Sequence, residues 1–167
     1  HELEKSTLKL DIAVCQSADR FIKELLNELS GFDNDYSAWI NQCQDLESNF
    51  SIVSEDYQHN TNINPYLFIH QFSEYLQEND VIVYDGGSIM NYVMQAFRLK
   101  KGQRLVCSTG LELPGFAIPG AIGVSQWLKV KPVYCLCEGQ GTQLSLTEFQ
   151  TIATYQLPIK IINFRSQ

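Results

Sequence analysis

Basic residues, long apolar runs and paired cysteines are scarce in this sequence, and each scarcity excludes a class of protein. Lys and Arg total 12 against 19 Asp and Glu, a net charge of -7, so no nucleic-acid partner is expected. No apolar run approaches the roughly 20 residues that span a bilayer, and the first residues contain no signal-peptide core, so we expect a cytoplasmic protein without a membrane partner. The five cysteines have no metal-ligand spacing and are expected to be reduced.

Nucleotide-binding fingerprints are also missing. The sequence contains neither Gly-x-Gly-x-x-Gly nor the lysine-bearing loop of the Walker type. A general nucleotide-binding α/β domain therefore has no motif in its favour.

Apolar patterning, by contrast, predicts an α/β domain. The 167 residues, 44% of them apolar, suffice for one domain with a core and an appendage. Apolar segments of strand length lie at 80–85, 104–108, 133–137 and 159–164, and helical patterns lie between them. This alternation predicts a mainly parallel sheet flanked by helices on both faces, preceded by a helical linker.

Three of the predicted strands end in a loop that contains glycine and leads into a helix. The loops are Gly86-Gly87-Ser88, residues 109–115 and the turn Glu138–Gly141, which precedes an amphipathic helix. Any parallel βαβ unit needs a tight turn at this point, so structure alone also explains each glycine. Because the carboxyl ends of parallel strands share one edge of the sheet, the three loops together favour a phosphate-bearing ligand.

The first 62 residues are predicted to form a separate segment. The alternating run Leu8–Val14 predicts an edge strand or an extended arm, and Ser17 begins a helix with one buried apolar face. A second helix is predicted over 35–49, and the polar stretch after it places a domain boundary near residue 62.

The helix after this boundary and three aromatic residues further along are predicted to contribute to the core. Asn64-Pro65 predicts the helix start, with an N-cap followed by proline at the first helical position. Tyr75 is among the side chains of this helix that are expected to face inward, and Trp127, Tyr134 and Phe149 are expected in the core.

Two polar residues at the predicted ligand edge have both a functional and a structural interpretation. Asp85 ends a strand there, where a carboxylate either serves a ligand or caps the following loop. Ser88 either contacts a phosphate or is the N-cap of its helix, and both roles need the same geometry.

The segment 64–164 resembles the C-terminal, diphosphate-binding domain of thiamine-diphosphate-dependent enzymes of the acetolactate synthase type. The motifs that carry the resemblance, in the family's order and spacing, are Tyr84-Asp-Gly-Gly-Ser88, Lys101-Gly-Gln-Arg104, Ser108-Thr-Gly-Leu111, Gly115-Phe-Ala-Ile-Pro-Gly-Ala-Ile-Gly123, Glu148-Phe-Gln-Thr-Ile152 and Leu157-Pro-Ile-Lys-Ile-Ile162. Residues 8–50 are similar to the end of that family's middle domain and the linker helices after it. The implied division is 1–62, the end of the middle domain and a helical linker, and 63–167, the diphosphate half of a thiamine-diphosphate-binding domain.

The resemblance implies a cofactor and a set of residues that bind it. The cofactor is thiamine diphosphate with Mg²⁺, and the residues placed on it are Gly86, Gly87, Ser88, Gly110, Leu111, Leu113, Gly139, Gln140 and Gly141. In this family the cofactor acts as the electron sink, and the protein supplies binding, orientation and desolvation. No catalytic side chain is therefore nominated. The resemblance also implies a homodimer or homotetramer of the parent chain and a 2-keto acid as substrate.

The metal-binding motif of the family is altered here. In the family, an Asp within Gly-Asp-Gly and an Asn further along hold the magnesium ion, and an ungapped alignment puts Gly139 and Ser166 in their places. Shifting the alignment by one residue brings Glu138 onto the Asp but needs an insertion. The ungapped alignment keeps Gly141 and Glu148 in register, so no metal ligand is nominated.

The loop 109–115 departs from the family as well. Pro114 stands where the family has a bulky apolar residue that buttresses the cofactor and offers a backbone N–H, which proline lacks. Glu112 and Leu113 replace small residues, which would crowd the pocket and add a charge beside it.

Two functions therefore stand as alternatives. The first is the C-terminal cofactor-binding fragment of an acetolactate-synthase-like carboligase or decarboxylase acting on a 2-keto acid. The second is a degenerate, non-catalytic relative that has lost the cofactor and serves as a structural or oligomerisation module. Gly139, Pro114 and Ser166 favour the second, whereas Gly86-Gly87-Ser88 and the stretch 115–123 favour the first.

Overall fold

The computed structural model describes residues 2–7, 9–54, 57, 62–128 and 131–165 and forms two compact units, His1–Asn49 and Phe50–Gln167. The helices are α1 (Ala18–Glu28), α2 (Ser37–Asn49), α3 (Pro65–Tyr75), α4 (Ser88–Ala96), α5 (Ala117–Leu128), α6 (Gly139–Leu144) and α7 (Glu148–Thr154), and the strands are β1 (Val81–Tyr84), β2 (Arg104–Val106), β3 (Val133–Glu138) and β4 (Ile159–Phe164). A single 3₁₀ turn, Glu2–Glu4, precedes them. Within the described ranges, no helix is both long and apolar enough to cross a membrane.

The first unit contains α1 and α2 and lacks the strand predicted at its start. Helix α1 begins directly after Ser17, as predicted, although the Ser17 side chain makes no capping hydrogen bond. Residues 9–14 form no strand, and Leu8 lies outside the described residues, so the edge-strand alternative is wrong for the part that is described. A strand needs a neighbouring strand for its backbone hydrogen bonds, and every strand of the described chain lies between residues 81 and 164.

The apolar face predicted for α1 is exposed rather than buried. Its large side chains are between 39% and 64% exposed; they are Phe21, Ile22, Leu25, Leu26 and Leu29. Helix α2 likewise has no buried residue. The helical spacing therefore predicts the helix correctly but its burial wrongly, because burial needs a complementary surface that periodicity does not supply.

The second unit is built on a four-stranded sheet with the order β2-β1-β3-β4. Every pairing is parallel, and Val83 of β1 lies opposite Val106 of β2 and Cys135 of β3. The parallel α/β class predicted from the sequence is therefore confirmed. Strands β1 and β3 occupy the centre of the sheet, which explains why their sequences are almost wholly apolar.

Helices cover this sheet on both faces. On one face, Ile82 and Leu136 pack among residues of α3 and α4. On the other, Val83, Cys135 and Cys137 pack among residues of α5. Cys135 and Cys137 thus point to one face, as predicted, and the described cysteines are free thiols. With both faces filled, a ligand can approach the strands only at their ends.

Core membership is predicted less well than strand position. Tyr134 is buried as expected, with 8% exposure, but Tyr75, Trp127 and Phe149 are 70%, 65% and 37% exposed, so those three predictions are wrong. The Trp127 ring instead lies beside the Arg104 guanidinium, whose carbon is 5.5 Å from the ring centroid. Aromatic type and helical spacing alone therefore do not assign a residue to the core.

The crossover between β3 and β4 contains two helices rather than a turn and one helix. Glu138 has extended backbone angles (φ -116°, ψ 154°), and Gly139 is already the first residue of α6. The predicted turn at 138–141 is therefore wrong, because β3 leads directly into a helix. After α6 ends, the Ser145 hydroxyl donates a hydrogen bond to the carbonyl of Gly115 (2.7 Å), which links the break between the two helices to the loop before α5.

The N-cap of α3 is expected to contribute measurably to stability. Asn64 Oδ1 accepts hydrogen bonds from the backbone N–H groups of Tyr66 (2.9 Å) and Leu67 (3.3 Å). Asn64→Ala removes both acceptor contacts and is expected to lower the free energy of unfolding of the second unit by about 1 kcal/mol in urea titrations. Ser17→Ala is the comparison at the helix start in the first unit, because the Ser17 side chain makes no capping hydrogen bond, and it is expected to change the free energy of unfolding of that unit by less than about 0.5 kcal/mol. Equal effects of the two substitutions would contradict the prediction.

Candidate functional site

A cavity of about 360 Å³ lies at the carboxyl edge of the sheet, where the ends of β1 and β3 meet the loop before α5. The described residues that line it are Asp85, Gly86, Gly87, Ser88, Glu112, Pro114, Glu138, Gly139, Gln140 and Gly141. They come from all three of the segments that sequence analysis singled out for glycine. The convergence expected of a parallel sheet is therefore present.

Most of the predicted cofactor-binding residues line this cavity. Those that do are Gly86, Gly87, Ser88, Gly139, Gln140 and Gly141. Gly110, Leu111 and Leu113 belong to the same loop as Pro114 but are not part of the lining, and the side chains of Leu111 and Leu113 are 75% and 54% exposed. The structure thus brings together the residues at the ends of β1 and β3 with Glu112 and Pro114 of the loop 109–115, and leaves Gly110, Leu111 and Leu113 outside the lining.

The end of β1 forms the first wall of the cavity. Gly86 lies against the main chain of Glu112, so closely that a Cβ atom on Gly86 would be 2.5 Å from the Glu112 carbonyl carbon. Gly87 has φ +77° and is the N-cap of α4, and Ser88 is the first residue of that helix rather than its cap. The unpaired N–H groups at such a helix start favour an anion.

Asp85 is a buried carboxylate that fixes the loop before α5. It is 1% exposed, and its Oδ1 accepts hydrogen bonds from the backbone N–H groups of Gly115 (3.0 Å) and Ala117 (2.8 Å). Burial raises the pKa of Asp85, and the backbone N–H groups around the carboxylate oppose that rise. Asp85 therefore has a structural role, but it anchors the start of α5, 30 and 32 residues away in sequence, and not the loop that directly follows it, which was the prediction.

The second oxygen of Asp85 has no hydrogen-bond partner among the described residues. Oδ2 is buried and lies next to Gly141 on the cavity wall, where a Cβ atom on Gly141 would collide with it. A buried carboxylate oxygen without a donor is unfavourable. Oδ2 is therefore an acceptor available to a donor or a cation at the cavity.

The start of α6 forms the opposite wall. Gly139 has no neighbour within 4 Å of its Cβ position and no positive φ, so nothing in the structure requires glycine there. Glu138 precedes it, and the Glu138 Oε2 atom is 4.0 Å from the Cβ position of Gly87. The sequence puts Glu138 in the turn expected at the ligand edge and, in a shifted alignment, on the family's metal-binding Asp, but Glu138 is not among the predicted cofactor-binding residues. The signal that locates it is strand alternation, since Leu136, two residues earlier, faces α4.

The loop 109–115 forms the third wall of the cavity. Glu112 has φ +47°, a left-handed conformation that is uncommon for a residue with a side chain, and its main chain makes the close contact with Gly86. Pro114 lines the cavity and has no N–H to offer a ligand. This wall therefore contributes fewer donors than the other two.

Charge at the cavity is of one sign. Asp85, Glu112 and Glu138 are acidic, and none of the described lining residues is basic. A diphosphate group would be repelled by these carboxylates unless a cation lay between them. In the described part of the chain no cluster of three or more His, Cys, Asp and Glu side chains is placed to hold a metal, and Ser166 lies outside the described residues. One or two carboxylates suffice for Mg²⁺ when phosphate oxygens and water complete its shell, so the cavity fits a diphosphate only together with a cation held in that way.

These features define a class of protein, the parallel α/β domains that bind a ligand at the carboxyl ends of their central strands. Residues 85–166 match the family model described as "Thiamine pyrophosphate enzyme, C-terminal TPP binding domain", where TPP is thiamine diphosphate. This segment belongs to that family and is a C-terminal domain of the acetolactate synthase type. The match begins at Asp85 and includes every cavity residue described above.

Curated relatives extend the similarity over most of the chain. It is 27% identical over 155 residues to the acetolactate synthase large subunit of Lactococcus lactis subsp. lactis (strain IL1403), covering 93% of this chain and 26% of that protein. It is 26% identical over 164 residues to the probable acetolactate synthase large subunit of Methanocaldococcus jannaschii, covering 94% and 27%. It is 22% identical over 166 residues to the acetolactate synthase isozyme 3 large subunit of Escherichia coli (strain K12), covering 96% and 29%. The chain thus spans about a quarter of the length of these relatives.

Proposed function

We propose that this chain is the diphosphate half of the cofactor site in a longer, thiamine-diphosphate-dependent carboligase or decarboxylase acting on a 2-keto acid. The observation that carries the proposal is the single cavity to which all three glycine-bearing segments contribute, inside the segment that matches the family model. Similarity to acetolactate synthase large subunits supports the reaction class. When bound, the cofactor supplies the electron sink for chemistry at the keto carbon.

In this proposal, the residues of this chain bind and orient the diphosphate of the cofactor. Gly87 has no Cβ and no neighbour closer than 4.0 Å at that position, so its main chain can approach a diphosphate closely, and Ser88 presents a hydroxyl at the start of α4. Gly139 allows the same approach at the opposite wall, where its Cβ position has nothing within 4 Å, and Gln140 beside it offers an amide donor. Mg²⁺ would be held by carboxylates of the cavity. We assign no general acid or base to this chain.

We also propose that the parent chain acts as a homodimer or homotetramer. This domain supplies only the diphosphate half of a site, and in the family it resembles, the other half comes from a second subunit. Large apolar side chains near the cavity support a contact surface: Leu111, Leu113, Leu144 and Leu146 are between 54% and 75% exposed.

The test is a calorimetric titration of the full-length protein with thiamine diphosphate, with and without Mg²⁺, followed by an assay of CO₂ release from a panel of 2-keto acids. We expect binding that depends on the metal and turnover of at least one 2-keto acid. Absence of detectable binding at millimolar cofactor would contradict the proposal. Binding without turnover of any 2-keto acid would contradict the proposed reaction class.

A non-catalytic relative is the second candidate, and particular observations favour it. Gly139 stands in place of the family's metal-binding Asp, Pro114 offers no N–H, and the described lining of the cavity has acidic but no basic side chains. Such a protein would keep the sheet and the subunit contacts without the cofactor. It would show an unchanged melting temperature with thiamine diphosphate and Mg²⁺ together with an intact oligomer in light scattering. A rise in melting temperature on adding both ligands would rule this candidate out.

A further inference from the structure

We infer that Glu138 supplies the carboxylate for the cation that accompanies the diphosphate, in place of the Asp that Gly139 replaces. This inference rests on the function proposed above and assigns a role to a residue outside the family's metal motif. It needs no insertion in the alignment, because the carboxylate comes from the side chain of the preceding residue. Glu is longer than Asp by one methylene group, which extends the reach of that side chain.

The alternation of β3 places Glu138 for this role. Leu136 packs on the face covered by α4, and Glu138, two residues further, points to the same side. Its Oε2 atom reaches the space beside Gly87, 4.0 Å from the Cβ position of that residue. Gly87 and Gly139 carry no side chains, and the Cβ position of Gly139 has nothing within 4 Å. The space around the Glu138 carboxylate is therefore open toward both glycines.

The Glu138 carboxylate is not engaged by the fold. The main-chain carbonyl of Glu138 accepts a hydrogen bond from Thr142 Oγ1 (3.4 Å), but among the described residues its carboxylate has no hydrogen bond or ion pair. A carboxylate that serves the fold is normally paired or capped, as Asp85 Oδ1 is. Glu138 therefore keeps both carboxylate oxygens for a ligand.

A second feature of the same cavity points independently to a cation. Asp85 is 1% exposed, and its Oδ2 has no donor among the described residues although it lies beside Gly141 on the cavity wall. Two carboxylates with unpaired oxygens match the hard oxygen ligands that Mg²⁺ prefers, and phosphate oxygens and water would complete the shell. The chemistry of the available donors thus agrees with a cation bound together with a diphosphate.

The competing interpretation is that Glu138 only repels the diphosphate, as an exposed carboxylate such as Glu112 would. The two interpretations predict effects of opposite sign. Removal of a repelling charge tightens binding of thiamine diphosphate, whereas removal of a cation ligand weakens it.

The experiment compares Glu138→Gln, Glu112→Gln and the double variant Glu138→Gln with Gly139→Asp in the full-length protein. Thiamine diphosphate is titrated calorimetrically at fixed Mg²⁺, and bound Mn²⁺ is counted by electron paramagnetic resonance with and without the cofactor. We expect Glu138→Gln to weaken metal-dependent cofactor binding by about tenfold or more. Glu112→Gln is expected to bind as tightly as the wild type or more tightly. The double variant is expected to recover most of the lost affinity, because the Cβ position of Gly139 has nothing within 4 Å.

Three results would overturn the inference. Unchanged or tighter binding by Glu138→Gln, while the wild type binds with metal, would overturn the role of Glu138 and leave the proposed function standing. Equal cofactor affinity with and without metal in the wild type would do the same. A wild type that binds no thiamine diphosphate with either metal would overturn the proposed function and this inference together. Circular dichroism melting curves identify any variant that fails to fold, and recovery by Gly139→Asp separates loss of a ligand from loss of structure.

Discussion

Gly86→Ala is expected to destabilise the second unit by about 3 kcal/mol. The added Cβ atom would lie 2.5 Å from both the carbonyl carbon and the carbonyl oxygen of Glu112 and 2.7 Å from its Cα. These are main-chain atoms, so relief requires movement of the loop 109–115 rather than rotation of a side chain. Urea unfolding followed by circular dichroism measures the loss.

Gly139→Ala is the matched control for this substitution. It adds the same methyl group to another glycine of the same cavity, but its Cβ position has no neighbour within 4 Å. Alanine also favours the helix that begins there, so we expect no destabilisation and a gain of up to about 1 kcal/mol. A destabilisation by Gly139→Ala as large as that of Gly86→Ala would show that the steric account of Gly86 is wrong.

Asp85→Ala is expected to cost about 2–5 kcal/mol of unfolding free energy. It leaves the backbone N–H groups of Gly115 and Ala117 without the acceptor that holds them at 3.0 Å and 2.8 Å. The start of α5 should therefore become the least stable part of the second unit. Asp85→Asn keeps an oxygen at the position of Oδ1 and is expected to cost less than half as much in the same urea titration. Equal losses in the two variants would argue against the hydrogen-bonding role.

The cost of Asp85→Asn is also expected to depend on pH. Burial raises the pKa of Asp85 above its ordinary value of 3.8, so protonation of this group favours the folded state. Its contribution to stability is therefore full below that value and is lost as the pH rises through the raised pKa. Asparagine does not titrate, so the difference in unfolding free energy between wild type and Asp85→Asn should be larger at about pH 4 than at about pH 7. A difference that grows toward neutral pH would contradict the raised pKa.

The sequence predicts the second unit well because its sheet is covered on both faces. Burial on both faces demands short, almost wholly apolar strands, and the segments 80–85 and 133–137 contain β1 and most of β3. Parallel pairing then fixes where the loops meet, so the sequence alone predicts the position of the cavity. Asn64-Pro65 predicts the start of α3 for a local reason as well, since an N-cap and the following proline act within a few residues.

What the sequence does not predict depends on contacts between distant residues. The loop 109–115 is shaped by bonds from Asp85 and Ser145 to Gly115, each 30 residues away in sequence, so the outward positions of Leu111 and Leu113 have no local signal. The prediction that one face of α1 is buried fails for the same reason, because an apolar stripe does not specify the surface that covers it. Glu138 is not nominated as a ligand from the sequence because the ungapped alignment puts Gly139, and not Glu138, at the position of the family's metal-binding Asp.

The two hydrogen bonds made by Gly115 allow the sequence of the preceding loop to change independently of the sheet and helices around it. Its N–H is held by Asp85 and its carbonyl by the Ser145 hydroxyl, so it is anchored on both sides by groups that lie outside the loop. Residues 110–114 precede this anchor and are exposed. Replacements among them can therefore accumulate without displacing α5, which makes this stretch the part of the domain where evolution, or a protein engineer, can change ligand preference while the fold persists.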